Sequence, residues 1–267
     1  MSLSRLLFLL ILLSAISCQE KVEGCLDIYA TNFNPQADKS CCCVYPTLSF
    51  QVNYNYGTEP YSSNQFIQDG QGNFFYLRGF NLYVSDFKAK DIQGGQLEVE
   101  DLVNIILSDG SQLQIKNDFA LLRPGSSNFQ FESFKAKSEL TSLEFTIGLP
   151  ASLDGIDIDT LPSSSVLGVQ PDSLFTPGVG YFSWSVSYTQ DTVTGSLPQI
   201  LRWRERSLIS KQVVIPYSIG RNTCLNVDLD LLVLFEDVDI KNDTPEQIST
   251  KVNGALSKAI NIKSCPK

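Results

Sequence analysis

Residues 47–54, TLSFQVNY, decide the fold class. Successive side chains of an extended strand point to opposite faces. Leu48, Phe50, Val52 and Tyr54 therefore share one side, and Thr47, Ser49, Gln51 and Asn53 share the other. Such a segment reads as a strand with its apolar face toward a core and its polar face toward water. Runs of similar character follow: FFYLRGFNLYVSDF, QLEVEDLVNIIL, SQLQIK, NFQFESF, SLEFTIGL, YFSWSVSY, QILRWRE, KQVVIPYSI and CLNVDLDLLVLF. Turn signals such as Asp109-Gly110 and Pro124-Gly125 separate several of them. Many short strands at this spacing predict an all-β chain, an antiparallel β-sandwich. The last run is expected to be a central strand with Leu225, Val227, Leu229, Leu231, Val233 and Phe235 on one face. One C-terminal helix is predicted in TPEQISTKVNGALSKAI. There Thr244 is the N-cap, Pro245 is the first helical residue, and Ile248, Val252, Ala255 and Ala259 form the apolar stripe. The mostly polar residues 154–172 read as a long loop.

The chain opens with MSLSRLLFLLILLSAISC, in which Arg5 precedes an apolar run and small residues lead to Cys18. That order is the order of an export signal, and the run is too short to span a bilayer. Its end resembles a lipobox, which makes residues 1–17 the signal and Cys18 the lipidated residue. An unlipidated Cys18 after an ordinary signal is the alternative. QEKVE after Cys18 is similar to the charged patch that sends Bacteroidota lipoproteins to the cell surface. The expected location is the outer membrane, on its periplasmic or cell-surface face, with the membrane reached through the lipid. The formal charge of −9 argues against a nucleic-acid partner.

Seven cysteines and no histidine frame the chemistry. With Cys18 lipidated, Cys25, Cys41, Cys42, Cys43, Cys224 and Cys265 remain, and in an oxidising compartment an even set reads first as disulfides. Thiolate metal ligation is the competing reading of KSCCCVYP, but adjacent residues point in different directions, which disfavours a convergent site. The expectation is two bridges in or near residues 18–45, and one between Cys224 and Cys265 that clips the helix to the sandwich. Residues 18–45 resemble a small module of Bacteroidota secreted proteins. The resemblance runs through Cys25, Asp27, Ala30, Asn32-Phe33-Asn34-Pro35, Ala37, Cys43 and Tyr45, with KSCCC replacing the usual acidic, glycine-containing stretch. Residues 46–267 would then form the sandwich domain.

LEFTIGLPASLDG, followed after a gap by QPDSLFTPGVGYFSWSVSY, resembles the MbnP-like family of bacterial copper-associated lipoproteins. The matching positions are residues 145–148, Pro171-Asp172, Gly180-Tyr181-Phe182 with Trp184, and Tyr188. FNLYVSDF and LNVDLDLLVLFE are similar to an early and a late strand of that family. The resemblance implies an exported β-sandwich, with copper held by two histidines and an oxidised tryptophan. Trp184 is retained, histidine is absent, and the only methionine is Met1. The usual neutral copper ligands are therefore missing, so no metal and no cofactor are expected.

Without histidine the commonest hydrolase designs are excluded, and a carboxylate pair is the remaining catalytic option. Asp154, Asp157 and Asp159 would suit either a Ca²⁺ site or a solvated acidic loop, and their spacing is not that of an EF-hand. In a strand, Arg202, Arg204 and Arg206 would share a face at about 6.8 Å spacing, opposite Trp203. They would contact an anion or acidic glycan, or pair with local acids. The expected function is a non-enzymatic binding or structural lipoprotein with a protein or glycan partner, with Trp184 and the three arginines as candidate contacts. Metal handling through cysteines or acidic loops is the alternative.

Overall fold

The computed structural model describes residues 20–62, 65–99, 101–123, 129–131, 138–162, 165–168, 174–190 and 197–266. Cys18 with the export signal, the Pro124-Gly125 turn and Pro171-Asp172 lie outside the described residues. The framework comprises β1 (Leu48–Tyr56), β2 (Phe74–Asp91), β3 (Leu140–Ile147), β4 (Trp184–Thr189), β5 (Gln199–Trp203), β6 (Ser207–Ile215), β7 (Thr223–Asp230), α1 (Leu231–Leu234), α2 (Pro245–Ala259) and β8 (Ile260–Ser264). One sheet has the order β5-β4-β2-β3-β6, with Phe66–Gln68, Gln96–Glu98 and Ala120–Leu122 also paired to β2. The other runs from Phe129–Phe131 through β1 and β7 to β8, with Glu59–Pro60 on β1. The two are packed as a β-sandwich whose pairs are antiparallel, except that β1 and β7 run parallel. No hairpin can join a parallel pair, and here the whole large sheet lies between the two strands in the chain.

The alternation in β1 places Leu48, Phe50, Val52 and Tyr54 in the core, as expected from TLSFQVNY. The strand β2 keeps its apolar face inward over 18 residues only by breaking phase twice. Buried Phe75 and Leu77 give way to Phe80, Leu82 and Val84, and then to Phe87 and Ala89. Against β4, Ser187 pairs Gly79 and Tyr188 pairs Leu77, leaving Arg78 as an extra residue. Against β3, Glu144 pairs Lys88 and Thr146 pairs Ser85, so Asp86 and Phe87 oppose Phe145 alone. Each is a β-bulge, which bends the strand and re-aims one side chain.

The late apolar run needs correction. The strand β7 ends at Asp230, whose carboxylate accepts from the Leu232 amide and starts α1. Leu225, Val227 and Leu229 are buried from the strand, whereas Leu231, Leu234 and Phe235 are buried from the helical turn and the residue after it. Val233, expected on the strand face, packs only partly against the core. A continuous apolar run does not distinguish these two geometries, and the cap decides. The helix α2 has the expected Thr244 capping box with Gln247, and it buries Ile248, Val252, Leu256 and Ala259. No helix among the described residues is long and apolar enough to cross a membrane.

A second apolar cluster covers the outer face of the large sheet. Tyr83, between inward Leu82 and Val84, turns outward to meet Ile105, Phe119, Leu121, Leu153, Ile156 and Tyr181. These come from the hairpin Leu102–Ile106/Gln112–Lys116, from the Ala120–Leu122 strand with Phe119 before it, and from the connection between β3 and β4. The connection after β3 carries two 3-10 turns, Ala151–Leu153 and Ile158–Thr160, the second inside the stretch 154–172 read as a long loop.

The N-terminal module is closed by Cys25–Cys43, with Cα atoms 4.8 Å apart. Cys41–Cys42 joins neighbours, and Cys224–Cys265 closes the segment that contains α2.

Candidate functional site

The motifs around Gly148 and Gly180 meet at one end of the large sheet. Gly148, immediately after β3, has φ +104°, and a Cβ there would lie 2.3 Å from Ser183 Oγ. Its amide donates to Tyr83 O at 2.8 Å, and its carbonyl accepts from Ser85 Oγ at 2.6 Å. Ser183 donates its amide to Trp203 O at 2.7 Å and its hydroxyl to Arg204 O at 3.0 Å. Gly180, with φ +99°, would bring a Cβ to 2.3 Å from Asp154 Oδ1. Both glycines are therefore required by close approach as well as by conformation.

Charge collects on this junction. Arg204 binds Asp154 at 2.7 Å, while the other oxygen of Asp154 accepts from the Tyr181 amide at 3.2 Å. Arg206 forms an ion pair with Asp86, the bulge residue, which holds φ 54°. A left-handed conformation is unfavourable for a non-glycine residue, although aspartate tolerates it better than most. Asp118, only 7% exposed, has its carboxyl raised to about 6, first by desolvation and then by the charge of Asp86, with Lys116 opposing. Sequence reading singled out neither Asp86 nor Asp118. The available signal for Asp86 was the polar pair Ser85-Asp86, which interrupts the apolar alternation of β2.

The three arginines do not share a strand face, because β5 stops at Trp203 and the next residues turn into β6. Arg202 lies over the Phe182 ring at 5.4 Å, and Arg204 and Arg206 are held by separate acids. Trp184, a candidate contact by sequence, has no exposed surface. Its ring stacks on Trp203 with centroids 6.2 Å apart, and its indole N–H donates to Asn253 of α2 at 3.3 Å. It is a core residue that seats the C-terminal helix. Asp157 caps the second 3-10 turn by accepting from the Asp159 amide, so the acidic loop does not converge on one point. Among the described residues no three of His, Cys, Asp and Glu are placed to hold a metal ion. The copper donor set implied by resemblance does not fit: histidine is absent, the matching tryptophan is sealed in the core, and six cysteines are bridged.

Beside this charged junction, the outer layer leaves a cleft of about 380 Å³ between the hairpin and the second 3-10 turn. Val103, Ile106, Phe119, Leu161, Pro162 and Val166 supply its apolar surface, and Asn104, Asn117, Thr160 and Ser165 its polar atoms. Asn117 and Phe119 flank Asp118 in the chain.

No family model matches the chain, and no curated protein matches it. Among solved structures, MbnP from Methylosinus trichosporium superposes with a TM-score of 0.50 at 12% sequence identity, covering 82% of this chain and 99% of that one. At such low identity the likeness speaks for architecture alone. The chain has an MbnP-like fold, a β-sandwich with a C-terminal helix.

Proposed function

We propose that the chain is an exported lipoprotein of the outer membrane, anchored through Cys18, and that its sandwich is a non-enzymatic binding module for a short, uncharged glycan. The observation that carries the binding role is the cleft in the outer layer. Its volume lies in the range of small-ligand sites. Its described lining contains amides, hydroxyls and apolar side chains but no charged group. Sugar rings offer both hydroxyl edges and apolar faces, and such a lining complements both. Arg204 and Arg206 are paired with Asp154 and Asp86 and are not among the residues that line the cleft. Loops on a rigid sandwich are the usual carriers of binding residues.

Titration calorimetry of the detergent-solubilised protein against a panel of neutral oligosaccharides tests this reading. Asn104→Ala combined with Asn117→Ala should weaken the best binder at least tenfold while leaving the thermal midpoint in place. A panel in which nothing binds, or in which acidic sugars bind best, would sink it. The anchor is tested separately. Cys18→Ala should release the protein from membranes into the soluble fraction, since acyl chains are what hold a short polar tether.

A further inference from the structure

The Cys41–Cys42 bridge differs in kind from the other two. It joins adjacent residues with Cα atoms 3.8 Å apart, below the usual span of about 4.4–6.8 Å for a disulfide. Cys25–Cys43 and Cys224–Cys265 span sequence separations of 18 and 41. A bridge stabilises a fold largely by closing a loop of the unfolded chain. A bridge between neighbours closes no such loop, so the fold gains almost nothing from it. Access points the same way. Cys42 is the exposed member of its pair, whereas Cys25 is 1% exposed.

The backbone around this pair is held independently of the sulfur bond. Cys42 has φ 55°, a conformation unusual for an L side chain. The Asn32 side chain clamps it from both sides, donating from Nδ2 to Cys42 O at 2.7 Å and accepting the Val44 amide on Oδ1 at 2.9 Å. The Cys41 amide is fixed to Gly24 O at 3.0 Å. Asn32 belongs to the Asn-Phe-Asn-Pro turn, so the module that Cys25–Cys43 closes also presents the neighbouring pair.

We propose that Cys41–Cys42 is a site of reversible thiol–disulfide exchange whose substrate is a dithiol. One thiolate of the dithiol attacks Cys42 Sγ, forms a mixed disulfide and breaks the Cys41–Cys42 bond. Cys41 leaves as a thiolate and takes up a proton. The second thiol of the donor then attacks the donor's own sulfur, releasing Cys42 as a thiol and leaving the donor as an internal disulfide. Two electrons and two protons pass from the dithiol to the cysteine pair. The reverse path restores the ring, because the clamp keeps the two thiols together.

The test is graded reduction of the native protein, in one arm with dithiothreitol and in the other with thioredoxin and its reductase. Each sample is quenched with N-ethylmaleimide and mapped by peptide mass spectrometry. Cys41 and Cys42 should both be labelled at reductant levels at least tenfold below those that label Cys25, Cys43, Cys224 or Cys265. Faster reaction with thioredoxin than with an equal concentration of dithiothreitol identifies a protein dithiol as substrate, and equal rates identify a small one. Equal labelling of all six cysteines, or a pair that resists both reductants until the protein is denatured, overturns the proposal. The double variant Cys41→Ser, Cys42→Ser should fold and retain the other two bridges, and its failure to do so would assign the pair a structural role instead. Asn32→Ala should slow reoxidation of the pair several-fold after the reductant is removed, and an unchanged rate would remove the clamp from the mechanism.

Discussion

Asp118 carries a stability cost at neutral pH, set by burial and by the Asp86 charge against hydrogen bonds from backbone amides. Its carboxyl is raised to about 6 by burial and by Asp86, so between about pH 4 and 6 the folded protein binds a proton that the unfolded chain has released. Stability from this group is therefore full below pH 4 and is lost as pH rises through 6. Asp118→Asn should stabilise the protein at pH 8 by on the order of 2 kcal/mol, with the gain vanishing at pH 4. Urea midpoints at the two pH values measure it, and a gain that is equal at both would contradict the assignment. Gly148 makes the opposite case. Its φ of +104° and a Cβ position 2.3 Å from Ser183 Oγ mean that Gly148→Ala should destabilise by about 2–4 kcal/mol. A thermal midpoint within a degree of wild type would show that the junction can open.

At the level of elements, the end of β7 shows how one side chain divides an apolar run. Asp230 accepts from the Leu232 amide at 2.9 Å and from the Gly57 amide at 3.0 Å. It caps α1 and holds the turn after β1 at the same time. Asp230→Ala should cost about 1–2 kcal/mol, in the range of a lost N-cap with a second orphaned amide. Asp230→Asn, which keeps the acceptor, should recover most of that in the same denaturant titration. The bulges of β2 belong to this scale as well. They place Asp86 beside Arg206 without disturbing the inward phase of Phe87 and Ala89. The run of β2 was legible as a strand, but the consequence of its interrupted period was not, because the alternation records which residues face inward and not which neighbouring strand the extra residue meets.

Across the whole molecule, α2 is held by core packing, by the Trp184–Asn253 hydrogen bond and by Cys224–Cys265 around it. The bridge spans a sequence separation of 41, for which loop-closure entropy predicts about 4 kcal/mol of stabilisation. Cys224→Ser with Cys265→Ser should lower the urea midpoint by a corresponding amount while circular dichroism still reports the sandwich. Loss of β-structure under native conditions would mean that the bridge is needed to form the fold. The likeness to MbnP extends over nearly all of that protein and is a likeness of architecture. Close packing at the junction demands glycine at positions 148 and 180 whatever chemistry the surrounding loops carry.

The strands, the capped helix and the absence of histidine were determined by the sequence alone, because alternation, capping and composition depend on residues two to four apart or on none at all. The site was decided by tertiary structure. Arg204 finds Asp154 across 50 residues and Arg206 finds Asp86 across 120, and the cleft lies between a hairpin and a loop whose chain positions do not announce that they touch. Even the adjacent Cys41 and Cys42 needed the fold, since three cysteines in a row allow several pairings. Gly24 and Asn32 set the backbone that leaves Cys43 for Cys25. Local periodicity carries no record of such distant partners, because their energy exists only once the chain has brought them together.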